Sequence, residues 1–592
     1  MAVGEGARTV EIGAEGNATL SFPLTAANDY ATASVRVRVE GNGERVDRSY
    51  DLPVRAAWPA VLRAETRALA TLAPITLGAS LAEGMMPGSV QAQMSVSAFP
   101  PIPFAAALQG ALNYPYWCAE QTASRGYAAL MLDEATVSML GLEDVDASRR
   151  QRTVEAAFGR LASMQAANGH FSMWGSSGPT DPLLTPYVAE FLLDARDAGF
   201  AVPDAVLQKA LERLNEDLLA GGQEFYGRDH RQYLKLAYQA HAGFVLARVN
   251  RAPLGTLRAL FDNHADATPS GLPLVRLGLA LRLQGDSARG DKAIAQGFAL
   301  RRERPRWLGD WSPPLRDAAL SIALVHEQEA AKPEYTARAI DVGRELDARR
   351  SQRWMHLSTQ EQIAVARLGK ALAADESRRV SGVLRTGGSD EPVSEVRVLG
   401  RQFDHADLVA GVRFEPAGEP PLYASLEVAG VPRSAPEADF THLKVERSLY
   451  RMDGTPWEPG PLAEGEALIV AVSITADQAM PDALLTDLLP AGLEIENFNL
   501  AGSEQWGEVT VQGINLSERS GAADLRHEEF RDDRYVAALN LSRGGTARLF
   551  YLVRAVTPGT YTVPPPMVED MYRPQLRGVG RAVPETITVV QP

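Results

Sequence analysis

The sequence predicts a multidomain α+β chain. Two observations carry that expectation. The hydrophobic period changes along the 592 residues from two to helical and back to two. At roughly 150 residues per domain, the length implies about four domains, each able to bury its own core.

In chain order, residues 1–58 read as strands. Val35, Val37 and Val39 alternate with Arg36, Arg38 and Glu40, the pattern of a half-buried strand, and Asn42-Gly43 supplies a hairpin turn just after it. Residues 59–100 are mixed and extended, ending in the stiff connector Phe99-Pro100-Pro101-Ile102-Pro103. From there to residue 375 the period is helical. Val188, Phe191, Leu192 and Ala195 follow i, i+3, i+4, i+7. Gly199 and Pro203 punctuate the next helix, whose face is Leu207, Leu211, Leu214 and Leu218. A run of consecutive helices with short loops fits a bundle, a solenoid or a closed α/α toroid, and pattern alone leaves the three open. Strands return at 376–430. The turn cluster Thr386-Gly387-Gly388-Ser389-Asp390 precedes a strand holding Val393, Val396 and Val398, and Leu422–Val428 is another. Residues 431–592 read as a β-sandwich. Leu468, Val470, Val472 and Ile474 alternate, as do Leu549, Tyr551, Val553 and Ala555, between turns such as Pro490-Ala491-Gly492 and Pro558-Gly559.

Composition narrows function. The net charge of −15 argues against a nucleic-acid binder. One cysteine makes neither an intrachain disulfide nor a cysteine-rich zinc site, and the nine histidines show no paired metal spacing. No run reaches the ~18 apolar residues of a membrane helix. Met1-Ala2-Val3-Gly4-Glu5-Gly6 lacks the basic and apolar regions of a secretory signal, so the expectation is a cytosolic chain or the downstream part of a longer one.

The single cysteine lies in Tyr114-Pro115-Tyr116-Trp117-Cys118-Ala119-Glu120-Gln121. Cys118 and Gln121 are three apart, so one helical turn puts both side chains on one face. A thiol beside a glutamine carboxamide can exchange sulfur for ammonia and close an internal thiolactone. A thioester lacks amide resonance, so its carbonyl is a stored electrophile that survives only where water is excluded. Three large aromatics crowd this cysteine. On spacing alone that chemistry stands beside a plainer reading, a buried structural cysteine. Two functional rivals stand with it. One is an enzyme, a cysteine hydrolase or an α/α-toroid enzyme using Cys118 as nucleophile, for which the sequence marks no partner base. The other is a binding module whose pair never cyclises.

Cys118-Ala119-Glu120-Gln121, with Tyr114-Pro115-Tyr116 before it and Ser124-Arg125-Gly126 after it, resembles the thioester motif of the α2-macroglobulin and complement family. Further segments resemble that family in its order. These are Asn168-Gly169-His170-Phe171-Ser172-Met173-Trp174, Leu184-Thr185-Pro186-Tyr187, Leu357-Ser358-Thr359-Gln360-Glu361, Asp487-Leu488-Leu489-Pro490-Ala491-Gly492 and Val568-Glu569-Asp570-Met571-Tyr572-Arg573-Pro574. The last two are similar to the final macroglobulin-like domain of the bacterial branch.

The resemblance implies a specific arrangement. Residues 1–58 would end a macroglobulin-like β-sandwich. Residues 59–100 and 376–430 would be two parts of a CUB-like β domain, split by an α/α-toroid thioester domain at 101–375. Residues 431–592 would be the C-terminal macroglobulin-like β-sandwich. It implies a protease trap without turnover or cofactor: a protease cuts a bait region, the thioester is uncovered, and a nucleophile on the protease is captured at Gln121. It further implies a monomeric, periplasmic protein, the full-length form being an inner-membrane lipoprotein. This sequence is expected to lack the upstream domains, the bait region and the signal.

Tyr114 matches a shielding tyrosine of bacterial relatives, and Met571 is the candidate shielding methionine, with Met567 second and sandwich-core packing as the alternative for Met571. Some members use a histidine that intercepts the thioester as an acyl-imidazole. His170 is the candidate here, against a solvated loop histidine, and without it direct attack by an amine is favoured. Glu120 either polarises the site or faces solvent. Asp181, Asp310 and Asp317 read as helix caps rather than catalytic acids.

Overall fold

The computed structural model describes the chain except residues 1, 5, 14, 27–29, 55, 70, 100–101, 143–145, 177, 266–267, 301–306, 312, 351–356, 375–378, 497–508 and 592. Pro100 and Pro101 of the expected stiff connector therefore lie outside the described residues.

Near the start, Ala31–Gly41 and Glu44–Val54 form a hairpin. Asn42 and Gly43, at φ of 51° and 82°, make its turn. A turn with two left-handed residues matches the twist of the flanking strands. The alternating valines do lie on a strand, but the expected half-burial is absent. Val37 and Val39 are 42% and 63% exposed, because the hairpin stands as a two-stranded sheet.

The next β unit is assembled from two distant stretches. One four-stranded sheet has the order Val398–Phe403, Gln91–Ser97, Leu422–Gly430, Val61–Leu69. A second has the order Ile75–Leu77, Val412–Ala417, Val380–Thr386, Ser389–Val396. Each sheet mixes strands from before and after the helices. Ile75, Leu77, Met94, Val96, Val412, Phe414 and Leu426 fill a shared core. The sequence placed Val393, Val396 and Val398 in one strand. The structure divides them, with Val393 and Val396 in Ser389–Val396 and Val398 opening a strand in the other sheet. A left-handed Glu395, φ 52°, kinks the chain just before the division.

Between these strands the described residues form α1 (Phe104–Leu112), α2 (Ala119–Met131), α3 (Glu134–Leu140), α4 (Ala147–Met164), α5 (Leu184–Asp197), α6 (Asp204–Leu219), α7 (Arg231–Arg248), α8 (Leu254–His264), α9 (Leu272–Leu283), α10 (Ser287–Ala299), α11 (Pro314–Glu327), α12 (Pro333–Thr336), α13 (Ala339–Arg350) and α14 (Thr359–Ala373). Contacts run α2–α5–α7–α9–α11–α14 and return from α14 to α2, closing a ring. Sequence pattern separates inner from outer helices. In α9 every residue from Leu272 to Leu281 is buried, as an inner helix requires. In α4 only one stripe is buried, Val154, Ala157, Phe158 and Leu161, which marks an outer helix. Close approach sets α2 against α5: a Cβ at Gly126 would lie 2.4 Å from Phe191 Cζ.

The last unit is a layered β structure. Its four-stranded sheet has the order Leu443–Tyr450, Ala467–Ala476, Thr546–Ala555, Leu493–Glu496. Its five-stranded sheet has the order Asp524–Arg531, Arg534–Leu541, Met480–Leu488, Met567–Asp570, Arg573–Val579. The alternating residues Leu468, Val470, Val472, Ile474, Leu549, Tyr551, Val553 and Ala555 all face its core. Leu484, Val536, Ala538, Met571 and Tyr572 turn the other way and join the core of the helical ring. The outer face of this five-stranded sheet is thus docked on the helices, and the docking covers Cys118.

Candidate functional site

Cys118 is the N-cap of α2, with extended backbone at φ −64° and ψ 170°, and it is fully buried. Its Sγ accepts the Gln121 N–H at 3.4 Å, and its own N–H donates to Gln121 Oε1 at 3.2 Å. This is a reciprocal capping box in which cysteine stands where serine or threonine usually does. The entry is fixed further by the Ala119 N–H donating to the Met173 carbonyl at 2.8 Å. Capping the helix is thus what brings the thiol against the carboxamide. Its oxygen is held by the Cys118 N–H, and its nitrogen donates to Met571 Sδ at 3.3 Å.

Met571 and Tyr572 form the turn between Met567–Asp570 and Arg573–Val579. The turn is held in place. Asp570 Oδ1 accepts the N–H groups of Tyr572 and Arg573 at 3.1 and 2.9 Å, and the Met571 N–H donates to the Asp482 carbonyl at 3.0 Å. The Tyr572 ring lies between Trp307 and Trp311, with centroids 6.4 and 5.7 Å away. Around this turn Tyr116 hydrogen-bonds Thr486, the Arg531 guanidinium donates to the Pro115 carbonyl at 3.3 Å, and Trp174 stacks on His527 at 4.7 Å. The alternative of Met571 in the sandwich core does not hold, since it packs in the helical core, whereas Met567 is only partly buried. Tyr114 is edge-on to Tyr116 at 5.5 Å and reaches across to Glu569.

Electrostatics follow burial. Burial pushes the Cys118 thiol well above its ordinary range, and the nearby Glu120 carboxylate raises it further. Glu120 does not face solvent: it is completely buried. It accepts hydrogen bonds from Ser124 Oγ at 2.6 Å, Thr359 Oγ1 at 2.7 Å and Gln360 Nε2 at 2.7 Å. Burial raises its carboxyl, against the pull of those donors and of Tyr572.

His170 is not a solvated loop histidine but is 4% exposed. Its Nδ1 is 2.8 Å from Thr185 Oγ1 and its Nε2 3.3 Å from Asp217 Oδ2. These contacts hold it on the α5–α6 side of the ring rather than against the Cys118–Gln121 pair. Asp181 accepts the Leu183 N–H at 3.0 Å in the turn before α5, but the cap position of α5 is Leu183 and Asp181 pairs with Arg228 at 2.7 Å. The cap reading also fails for Asp310 and Asp317. Both ion-pair with the buried Arg316, and Asp310 accepts from Tyr233 at 2.6 Å while Asp317 accepts from Ser270. Among the described residues no cluster of His, Cys, Asp or Glu is able to hold a metal ion.

Sequence reasoning missed Tyr572 and the Thr359–Gln360 pair as parts of the site. Their motifs were visible, but adjacency to Cys118 depends on ring closure and domain docking.

The family model described as the bacterial alpha-2-macroglobulin MG10 domain matches residues 443–575. Along 100% of its length the chain is 60% identical to an alpha-2-macroglobulin of Xylella fastidiosa strain 9a5c, of which it covers 36%. The crystal structure of native Escherichia coli alpha-2-macroglobulin spanning domain MG7 to the C-terminus is 33% identical, with a TM-score of 0.86, over 95% of this chain and 88% of that one. Salmonella alpha-2-macroglobulin reacted with methylamine is 34% identical, with a TM-score of 0.86, over 97% of this chain and 37% of that one. The chain thus spans about a third of the length of these curated relatives, 36% in the Xylella case.

Proposed function

Because this chain belongs to the bacterial alpha-2-macroglobulin family and matches its C-terminal portion, we propose that Cys118 and Gln121 close an internal thioester that captures proteases covalently. The observation that carries this reading is the reciprocal capping box, which holds Sγ against the Gln121 carboxamide beneath Met571. The relative that was reacted with methylamine supports an amine-reactive electrophile in the family.

In the proposed reaction a protease amine attacks the Gln121 acyl carbon. The oxyanion develops where Oε1 now sits, facing the Cys118 N–H, the position at which a fixed donor lowers the barrier. Cys118 then leaves as a thiolate, a far better leaving group than an amide nitrogen. The raised thiol adds to the protection. While the site is closed, burial penalises the departing thiolate, so the electrophile is guarded electrostatically as well as sterically. Undocking of the last domain removes both guards.

Within this reading the ring is the α/α-toroid thioester domain at 101–375, and the split β unit is the CUB-like domain at 59–100 and 376–430. Residues 1–58 are the end of a macroglobulin-like β-sandwich, and residues 431–592 are the C-terminal macroglobulin-like β-sandwich. Direct aminolysis is favoured over acyl transfer through His170, whose contacts lie elsewhere. The protein acts as a monomeric trap in the periplasm. A cysteine enzyme is disfavoured by the direction of the thiol shift, since a catalytic thiol is activated by a lowered pKa. The second reading, a pair that only caps α2, draws on the same capping box.

Intact mass separates the two. A closed thioester leaves the chain short by one ammonia, and methylamine then adds at Gln121 and releases one titratable thiol at Cys118. A full mass with a freely titrating Cys118 leaves only the capping reading.

A further inference from the structure

We propose that the last domain helps to make the thioester as well as to cover it: the Tyr572 hydroxyl relays a proton between the Cys118 thiol and the Glu120 carboxyl. This rests on the thioester reading above.

The starting observation is the Tyr572 hydroxyl. Tyr572 is fully buried, and its hydroxyl meets no partner in good hydrogen-bond geometry, although it lies near enough to Cys118 and Glu120 to pull both downward. A buried hydroxyl so placed calls for an explanation. It cannot turn away, because Trp307 and Trp311 hold the ring and Asp570 holds its backbone N–H at 3.1 Å. The charged and polar groups around the hydroxyl are Cys118 and Glu120, with Asp482 and Tyr114 acting more weakly. Glu120 is the second half of the argument. It lies between Cys118 and Gln121 in sequence, is completely buried, and is held by Ser124, Thr359 and Gln360. No lysine or arginine among the described residues pairs with it. Burial shifts its carboxyl toward working pH, as a proton-transfer group requires.

The steps balance. Sγ bonds to Gln121 Cδ as the thiol proton passes to the Tyr572 oxygen and the Tyr572 proton passes to Glu120. The carbonyl oxygen becomes an oxyanion facing the Cys118 N–H. When the intermediate collapses, the C–N bond breaks, Tyr572 protonates the departing nitrogen and Glu120 returns a proton to Tyr572. Ammonia leaves, and the tyrosine and carboxylate are reset. No redox partner is needed. A thiol held above its ordinary range in a closed site needs such a base to become a nucleophile.

The test uses the full chain, released from denaturant into buffers of graded pH, with the ammonia-deficient mass followed over time. The unsubstituted chain should close with a rate that rises with pH as Glu120 ionises. Tyr572→Phe keeps the ring and removes the hydroxyl. It should close on the order of 10²-fold more slowly, the usual weight of a positioned proton-transfer group. Glu120→Gln should be slow and should lose the pH dependence, which a purely structural role would leave in place. Closure of Tyr572→Phe at the unsubstituted rate with the same pH profile overturns the relay alone, whether or not Glu120→Gln folds. Absence of the mass deficit in the unsubstituted chain overturns the thioester reading and the relay with it.

Discussion

At the scale of single residues, the proposed thioester makes one capping interaction the source of its stored reactivity. Serine or threonine at position 118 would cap α2 equally well, and only cysteine adds a nucleophilic sulfur. Met571 then closes the pocket by placing its sulfur on the Gln121 nitrogen. Truncating a buried methionine costs about 2–5 kcal/mol. Every 1.4 kcal/mol is a factor of ~10 in a population, so Met571→Ala should raise the open fraction at least tenfold. The expected outcome is faster spontaneous loss of the thioester in water, followed as thiol release. Tyr114→Ala should act in the same direction, because it removes the ring beside Tyr116 and the contact to Glu569. Unchanged decay in both variants would place the cover elsewhere.

At the scale of elements, the ring is held by charge as well as by packing. Inner helices α5, α7, α9 and α14 each send a charged or titratable side chain to one buried point. Glu190 accepts from Arg367 at 2.8 Å and is 2.7 Å from His241 Nε2, with Arg276 at 3.7 Å. Burial and the neighbouring Arg276 push His241 down to about 4, so it is neutral at ordinary pH and the two arginines carry the compensation. Removing one partner of such a set strands a buried carboxylate. Arg367→Ala should therefore destabilise the helical unit by about 3–5 kcal/mol, read as a lowered melting temperature. A loss no larger than that of an exposed pair such as Arg344–Asp341 would show that the network is not what holds the ring. This centre was not legible in the sequence. The amphipathic outer helices were, because Leu207, Leu211, Leu214 and Leu218 make a stripe. Periodicity found the helix of Glu190 through Val188, Phe191, Leu192 and Ala195, but it says nothing of which buried polar side chains of α5, α7 and α9 meet across the ring. Closure of α14 onto α2, and hence the meeting of Gln360 with Glu120, depends on contacts some 240 residues apart.

At the scale of the whole molecule, the proposed reading makes one docking interface the switch between a closed and an open site. The return of strands after the helices was readable, and the resemblance implied that they complete a β unit begun before the helices. The docking of Met571 over Gln121 was an expectation of the family resemblance alone, because the two are 450 residues apart and no local pattern links them. The charges at that interface were not expected at all. Burial raises Asp482 and Glu569 from 3.8 and 4.5 to about 7 each. Asp482 faces Asp570 and Arg526 of its own domain, and Asp181 and Arg228 across the interface. Glu569 faces Arg577 and Asp570 of its own domain, with Tyr114 across the interface. In both, the docked pKa lies above the ordinary one, so the docked form holds protons that the undocked form has released. Docking is then strongest below the ordinary carboxylate values and weakens as pH rises through about 7, where both groups ionise beside like charges. Methylamine uptake, with the free-base concentration held constant, should therefore accelerate between about pH 5 and 8. Asp482→Asn with Glu569→Gln removes both ionisations and should flatten that rise. A flat profile in the unsubstituted chain would mean that other contacts, such as the Trp174–His527 stack, hold the domain in place.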